Sequence, residues 1–271
     1  MKKTILLASA TLAALSFTSC NNEVDMFQPF GSEKATINLN ITNDDAVTTR
    51  AGEGVKTADK TKWYAKIDTY NSETFNQTTW DAKTWVTAST LEGVTRTPGD
   101  YVIQVANYPG EAAAYDNTVN YGAGDAYYTL TRNNINLKAG VNELTFECET
   151  AKNARVALDW DGAKNVNGLT MTSVVATQTS KSRSYTFTGN GTAYFYAGVD
   201  IVCTINYTYN NASKSIQKTI TAPTAATQYA FNVSANSNGT ITTLTITYND
   251  AFGNGTPVSA EIDAATGNEV Q

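Results

Sequence analysis

Short runs in which apolar and polar residues alternate extend along most of this 271-residue chain. In "KATINLNIT", Ala35, Ile37, Leu39 and Ile41 fall on one side of an extended chain, with polar residues between them. This period of two is typical of a strand that buries one face. After the first twenty residues, no stretch shows the 3.6-residue period of a sustained helix. The chain is therefore predicted to be all-β.

The alternating runs form two sets, which are separated near residue 150 by the polar segment "ETAKN". The second set begins with "ARVALDW", and it contains Asn-Gly pairs at 190–191 and 238–239. Asn-Gly favours tight hairpin turns of type I′, because both central residues need positive φ. Repeated short strands with turn signals between them indicate β-sandwiches. We predict two sandwich domains in tandem, over residues 34–150 and 151–250.

The first twenty residues, "MKKTILLASATLAALSFTSC", have the features of a bacterial export signal. Lys2 and Lys3 provide the positive start. The apolar run from Ile5 to Phe17 is too short to span a bilayer of about 30 Å. The segment ends in small residues and a cysteine, which is similar to the lipobox of bacterial lipoproteins. We predict a signal peptide over 1–19 and a lipid anchor on Cys20. An ordinary secretory signal is the alternative.

Two further segments flank the predicted domains. Residues 20–33 are mostly polar and are predicted to form a tether between the lipid and the first strand. Residues 251–271 alternate only briefly and with interruptions, so a frayed C-terminal tail is expected. The alternative is that this tail supplies a donor strand to another chain.

Composition argues against several classes of function. The formal net charge is −6, and loss of Lys2 and Lys3 with the signal brings it to −8. Without a basic cluster, binding to nucleic acid or to anionic lipid head groups is disfavoured. The chain has no histidine, which removes Ser-His-Asp and Cys-His nucleophilic systems and histidine metal sites. We expect a non-enzymatic protein with no catalytic residues, no metal site and no cofactor.

Two cysteines remain once Cys20 carries the lipid. Cys148 and Cys203 each alternate in step with apolar neighbours, so buried free thiols are expected. A disulfide between them is the alternative in an oxidising envelope, although the two fall in different predicted domains.

Trp80 and Trp85 lie in polar surroundings in "QTTWDAKTW". An indole in such a position can stack its apolar face on a sugar ring, so both are candidate glycan contacts. The simpler interpretation is that one or both cover the end of the first sandwich.

Several stretches in combination resemble one protein family. "LNITNDDAVTTRAGEG", "TRTPGDYVIQVANYP" and "YTLTRNNINLKAGVNELTFECETAKNARVAL" are similar to fimbrillin-like surface lipoproteins of Bacteroidetes, and more narrowly to their uncharacterised branch, a domain of unknown function. The resemblance extends over residues 34–160 and is weaker beyond them. It implies two transthyretin-like or Ig-like sandwiches in a lipoprotein at the surface of the outer membrane. It also implies a role in cell adhesion or in a fimbrium.

The resemblance further implies a role for Arg50. In the fimbrillin pilins a protease cuts after an arginine in the loop that follows the first strand, and the groove left by that strand accepts a donor strand from the next subunit. Arg50 follows the predicted strand 34–42 and matches this position. Loss of a strand leaves unpaired N–H and C=O groups, which form a template for strand addition. The alternative is an ordinary charged residue in a flexible linker.

The sequence thus favours a surface lipoprotein that acts as an adhesion or pilus-type component, with Cys20 as anchor and Arg50 as processing site. The alternative is a surface lipoprotein that binds glycans through Trp80 and Trp85. The expected partners are the outer membrane, through the lipid, and either other pilus-type subunits or a host or glycan receptor.

Overall fold

A computed structural model describes residues 33–43, 56–116, 122–238, 242–250 and 258–270. Within these ranges strands dominate, and the single α-helix, α1 (Gln77–Asp81), is five residues long. No helix in the described ranges has the length and apolar character needed to cross a membrane. The prediction of an all-β sandwich fold is confirmed.

Among the described residues of the first half, eight strands form two four-stranded sheets. Sheet 1 contains β1, β2, β5 and β8, and sheet 2 has the order β4-β3-β6-β7. Their buried side chains share one core, which includes Ile37, Ile103 and Phe146, and we call this pair of sheets the first sandwich. The strands are β1 (Ala35–Asn43), β2 (Lys56–Thr57), β3 (Tyr64–Thr69), β4 (Val86–Thr87), β5 (Val94–Arg96), β6 (Gly99–Ala106), β7 (Thr129–Leu137) and β8 (Gly140–Cys148).

In the part of the second half that the structure describes, nine strands form sheets 3 and 4. Sheet 3 has the order β12-β9-β15-β16-β17 and sheet 4 the order β11-β10-β13-β14. A separate core, which includes Phe195, Ile205 and Phe231, lies in this second sandwich. The strands are β9 (Asn153–Asp159), β10 (Leu169–Gln178), β11 (Arg183–Phe187), β12 (Gly191–Tyr196), β13 (Ile201–Tyr209), β14 (Ala212–Ile220), β15 (Gln228–Ser237), β16 (Thr242–Asp250) and β17 (Val258–Asp263).

The turns differ in part from the prediction. The prediction of a type I′ hairpin at 190–191 is wrong, because β11 pairs with β10 in sheet 4 while β12 pairs with β9 in sheet 3. Neither residue of that pair has positive φ. A two-residue turn with positive φ occurs instead at Asn210 (48°) and Asn211 (66°), between β13 and β14. These angles are those of a type I′ turn. Strands β15 and β16 pair as a hairpin, with Ser237 opposite Thr242, but the type I′ turn expected at 238–239 lies partly outside the described residues.

The C-terminal segment is ordered over 258–270, so the expectation of a frayed end is wrong there. Strand β17 extends sheet 3 by pairing with β16. Its Ile262 side chain is buried in the second core, and beyond the strand Lys218 forms an ion pair with Glu269. The segment is held because alternation, although short, places an apolar side chain on the core face.

The two sandwiches meet at buried polar side chains. The side-chain amide of Asn153 donates to the carbonyl oxygen of Asp125 at 2.8 Å and accepts from the N–H of Tyr127 at 3.1 Å. Arg183 is also buried, and it donates to the carbonyl oxygen of Ala123 at 2.9 Å. These bonds tie the chain that precedes β7 to the second sandwich. Because buried polar groups are costly when unpaired, the contact favours one arrangement of the two halves.

Both remaining cysteines are free thiols, as expected. Cys148 lies in the first core and Cys203 in the second. Burial raises the pKa of each thiol to about 12, so both are protonated and unreactive at neutral pH.

Candidate functional site

Strand β1 lies in the interior of sheet 1, with other strands on both of its edges. It pairs in parallel with β8 along its whole length, from Ala35–Gly140 to Asn43–Cys148. On its other edge it pairs antiparallel with β5 at its start and with β2 at its end. The first strand of the chain is therefore a central strand of its sheet. It begins and ends one residue later than the strand predicted at 34–42.

One face of β1 is inserted into the first core. Ala35, Ile37, Leu39 and Ile41 are each exposed by 1% or less. Full burial of a large aliphatic side chain stabilises a fold by about 1.5–3 kcal/mol. Removal of β1 would therefore cost the first sandwich much of its stability and would leave an apolar groove.

A glutamate side chain fills the gap between β5 and β2. Glu92 Oε1 accepts the backbone N–H of Leu39 at 2.7 Å, and its Oε2 lies 2.9 Å from Lys60 Nζ. The carboxylate thus replaces the strand partner that this N–H lacks, because buried N–H groups require an acceptor. Sequence reasoning missed Glu92, since the residue that it contacts lies 53 positions away.

Backbone bonds outside the ladders complete the enclosure of β1. The N–H of Gly93 donates to the Ile37 carbonyl, and that of Ala58 to the Ile41 carbonyl, each at 2.8 Å. We call the space that β1 fills the β1 groove; β8 bounds one edge, and β5, Glu92 and β2 bound the other. A nine-residue strand spans about 30 Å, which is the length of this groove.

The predicted anchor and processing residues, Cys20 and Arg50, lie outside the described residues. Strand β1 ends at Asn43, seven residues before Arg50, and β2 pairs with the last two residues of β1. A cut after Arg50 would leave β1 attached to the rest of the protein by non-covalent contacts alone.

The two candidate glycan contacts face the protein. Trp80 is 4% exposed, and Trp85 packs partly buried against a small cluster that includes Tyr127. The Lys66 ammonium lies 4.4 Å from the centre of the Trp80 ring and 5.0 Å from that of Trp85, and it donates to the Trp80 carbonyl oxygen at 3.0 Å. A cation over the ring face is a favourable contact, so one face of each indole is used internally.

No family model and no curated protein matches this chain. Among solved structures, it is similar to a fimbrial assembly protein from Parabacteroides distasonis, at 10% identity and a TM-score of 0.45, over 82% of this chain and 97% of that one. It is also similar to the fimbrial anchor protein Mfa2 from Porphyromonas gingivalis, at 9% identity and a TM-score of 0.38, over 87% and 99%. Both names are of the kind that the sequence resemblance suggests.

Proposed function

We propose that this chain is a fimbrillin-like surface lipoprotein, and not an enzyme, that acts in adhesion as a pilus-type subunit with a removable first strand. Cys20 carries the lipid that anchors the chain to the outer membrane, and Arg50 is the site of proteolytic processing. The body consists of two sandwich domains, over residues 34–150 and 151–250. After processing, a strand from another subunit fills the β1 groove.

The position of β1 is the observation that supports this proposal. A strand inside a sheet is normally joined to the chain at both ends, so two cuts are needed to remove it. Strand β1 precedes every other described element, and its nearest covalent link to the sandwich runs through residues 44–55. One cut in this segment is therefore sufficient to detach a strand that carries four core side chains.

An emptied β1 groove would favour strand addition from both edges. The edge of β8 would present nine residues of unpaired backbone, and β5 and β2 would present shorter edges opposite it. Such edges are templates for an incoming strand. A donor needs apolar residues at every second position, as in β1, because successive side chains of a strand point to opposite faces.

Glycan binding through Trp80 and Trp85 has less support. The Lys66 ammonium covers one face of each indole, and Trp80 is buried. A flat and accessible indole face is what stacking on a sugar ring requires.

The first experiment is mass spectrometry of the protein isolated from outer membranes. We expect a fraction that begins at Ala51, together with a precursor that begins at lipidated Cys20. In cells that carry Arg50→Ala, only the precursor should remain. The matched control is Arg132→Ala, which removes an exposed arginine from β7. A wild-type protein that begins only at Cys20 and is never cut would exclude processing at Arg50.

The second experiment tests strand exchange directly. Purified mature protein is cut at Arg50 by an arginine-specific protease and incubated with a labelled peptide of the β1 sequence. We expect label to enter the cut protein and not the intact Arg50→Ala variant. A peptide with aspartate in place of Ile37 and Leu39 should not enter, because it would bury charge. Equal labelling by both peptides would contradict the proposal.

A further inference from the structure

Two adjoining cavities lie beside β3. The first has a volume of about 340 Å³, and Tyr70, Phe75 and Asn76 are among its lining residues. The second has a volume of about 330 Å³, and Lys83 and Arg96 line it. Asp68 and Thr69 line both cavities, so the two are neighbours. Each volume falls within the range of small-molecule sites.

The first cavity combines aromatic faces with amide groups. The rings of Tyr70 and Phe75 are 5.3 Å apart and half-buried. Asn71 Oδ1 accepts the N–H of Glu73 at 2.9 Å, and Asn76 Oδ1 accepts the N–H of Thr79 at 3.0 Å. These bonds fix both side chains while their NH₂ groups make no hydrogen bond within the described residues. Apolar ring faces beside oriented N–H donors suit a sugar ring, which has an apolar C–H face and polar edges.

The second cavity carries an excess of positive charge. Lys66, Lys83 and Arg96 line it, against the single carboxylate of Asp68, which lies 2.9 Å from Lys83 Nζ. Within the described part of the chain, no carboxylate lies at ion-pair distance from Arg96, whose guanidinium donates to the Thr95 carbonyl. This local excess contrasts with a formal net charge of −6 for the whole chain. An anionic group is the ligand that such a lining favours.

Lys66 adds a buried charge to this cavity. Its side chain is 4% exposed, and its ammonium contacts a carbonyl oxygen and two indole rings. Burial lowers the pKa of Lys66, and the nearby charge of Asp81 opposes this effect. A buried cation without a bonded carboxylate is costly, and an anion in the cavity would offset part of that cost.

We propose that the two cavities form one binding site for an acidic saccharide. A sugar ring packs against Tyr70 and Phe75, and a carboxylate of the saccharide pairs with Arg96 and Lys83. No residue of β1 lines either cavity, but Arg96 lies on β5 opposite Ala35 of β1, so the site is described for the intact protein, in which β1 is in place. An acidic peptide could use the cationic cavity, but the aromatic and amide cavity beside it favours a sugar.

Isothermal titration of the purified mature protein with matched probes tests this site. The probes are 3′-sialyllactose against lactose, and trigalacturonate against its methyl ester. We expect at least one acidic member to bind about tenfold or more tightly than its neutral partner, because the neutral partner lacks the carboxylate that accepts charge-assisted hydrogen bonds from Arg96 and Lys83. Tighter binding of 3′-sialyllactose would indicate a site for sialic acids, and tighter binding of trigalacturonate would indicate a site for uronic acids. Hexaglutamate is the peptide probe.

Variants separate the roles of the two cavities. Arg96→Gln should lower the affinity for the acidic probe about tenfold and leave the affinity for its neutral partner unchanged. Phe75→Ala should weaken binding of both the acidic probe and its neutral partner, since it removes an aromatic face on which the sugar ring packs. Lys138→Gln, which removes an exposed cation outside the cavities, is the charge-matched control. Circular dichroism and thermal melting verify that each variant is folded.

Three results would overturn the proposal. Neither acidic saccharide binds at millimolar concentration, or hexaglutamate binds and no saccharide does. The third is that the folded Arg96→Gln variant binds the acidic saccharide as tightly as wild type does. Because intact Arg50→Ala protein retains both cavities, it should bind the saccharide as wild type does. Failure of strand exchange and failure of saccharide binding are thus separate outcomes.

Discussion

Strands β1 and β9 occupy equivalent places in the two sandwiches, but the chain holds them differently. Each is the first described strand of its sandwich and pairs in parallel with a later strand; on the other edge β1 has two short antiparallel neighbours and β9 has one, β12. Strand β9 follows β8 after four residues and leads into a 3₁₀ turn at Asp161–Ala163. A cut after β9 would therefore leave it joined to the first sandwich. A cut in the segment between β1 and β2, by contrast, would remove the covalent link from β1 to the strands that follow it.

The polar contacts of β9 and β1 also differ in how deeply they are buried. Asn153 of β9 is fully buried and bonded to Asp125 and Tyr127 of the first half. The side chains that bond to β1, by contrast, are reachable by solvent: Asn38 donates to Glu143 on the surface, and Glu92 is about one-third exposed. The polar contacts of β9 thus join the two sandwiches, whereas those of β1 stay within the first sandwich.

The largest difference is expected in thiol reactivity after a cut at Arg50. Cys148 ends β8 opposite Asn43 of β1, whereas Cys203 lies in the other core. In intact protein both pKa values are raised to about 12 by burial. The thiolate is then a fraction of about 10⁻⁴ at pH 8, and alkylation should accelerate about tenfold per pH unit up to that pKa. After β1 is lost, Cys148 should react at least about a hundredfold faster.

Alkylation with iodoacetamide followed by peptide mass spectrometry measures both sites in one sample. Cys203 serves as the internal control and should keep its slow rate. Equal acceleration at both cysteines would indicate general unfolding, and no acceleration at Cys148 would show that β1 stays in place after the cut.

The next largest effect concerns matched leucines in the two strands. Leu39→Ala and Leu158→Ala should each lower the free energy of unfolding by about 2–5 kcal/mol, since both side chains are buried. Only Leu39→Ala should accelerate release of β1 from protein cut at Arg50, by about thirtyfold or more. Urea unfolding and the release rate of a labelled β1 provide the two readouts. An equal acceleration by Leu158→Ala would contradict the distinction between the strands.

A smaller effect on the free energy of unfolding is expected for Asn153→Ala, at the contact between β9 and the first sandwich. Asn153→Ala leaves the N–H of Tyr127 and the carbonyl of Asp125 without their partner, at a cost of about 1–3 kcal/mol. In calorimetry we expect one unfolding transition to become two, because the halves would lose a shared contact. The control is Asn133→Ala, at an exposed position of β7. A single transition at unchanged temperature would show that Asn153 does not couple them.

The smallest effect belongs to Glu92→Gln. The amide oxygen can still accept the N–H of Leu39, but the ion pair with Lys60 is lost. Since both side chains are about one-third exposed, we expect a loss of only about 0.5 kcal/mol that disappears at high salt. Urea unfolding at two salt concentrations measures it. A loss that persists at high salt would indicate that the bond to Leu39 is broken instead.

Sequence patterns located the strands well where the pattern is local. The alternation in "KATINLNIT" predicted the buried face of β1, since strand periodicity depends only on neighbouring residues. Turns were less reliable. Asn-Gly at 190–191 does not form a hairpin, because the strands on its two sides pair in different sheets, whereas Asn210 and Asn211 form one without glycine.

The candidate sites also differ in how much of each could be found from local sequence. Cys20 and Arg50 were chosen from short motifs and order along the chain, and they stay predictions. Trp80 and Trp85 were found by composition, but composition could not show that Lys66 lies over their rings. The residues of the proposed saccharide site are distributed over β3, α1 and β5 with their flanking turns, so no short segment contains the whole set.

By itself, the sequence determined that this chain is all-β, which faces of its strands are buried, and that its remaining cysteines are buried among apolar neighbours. These properties follow from side chains one or two residues apart. Only the tertiary structure decided that β1 is central and that β8, some hundred residues later, is its parallel partner. It also decided that Glu92 completes the β1 groove. Strand pairing depends on which distant edges meet, and backbone hydrogen bonds are the same for every sequence, so local patterns cannot specify the neighbour.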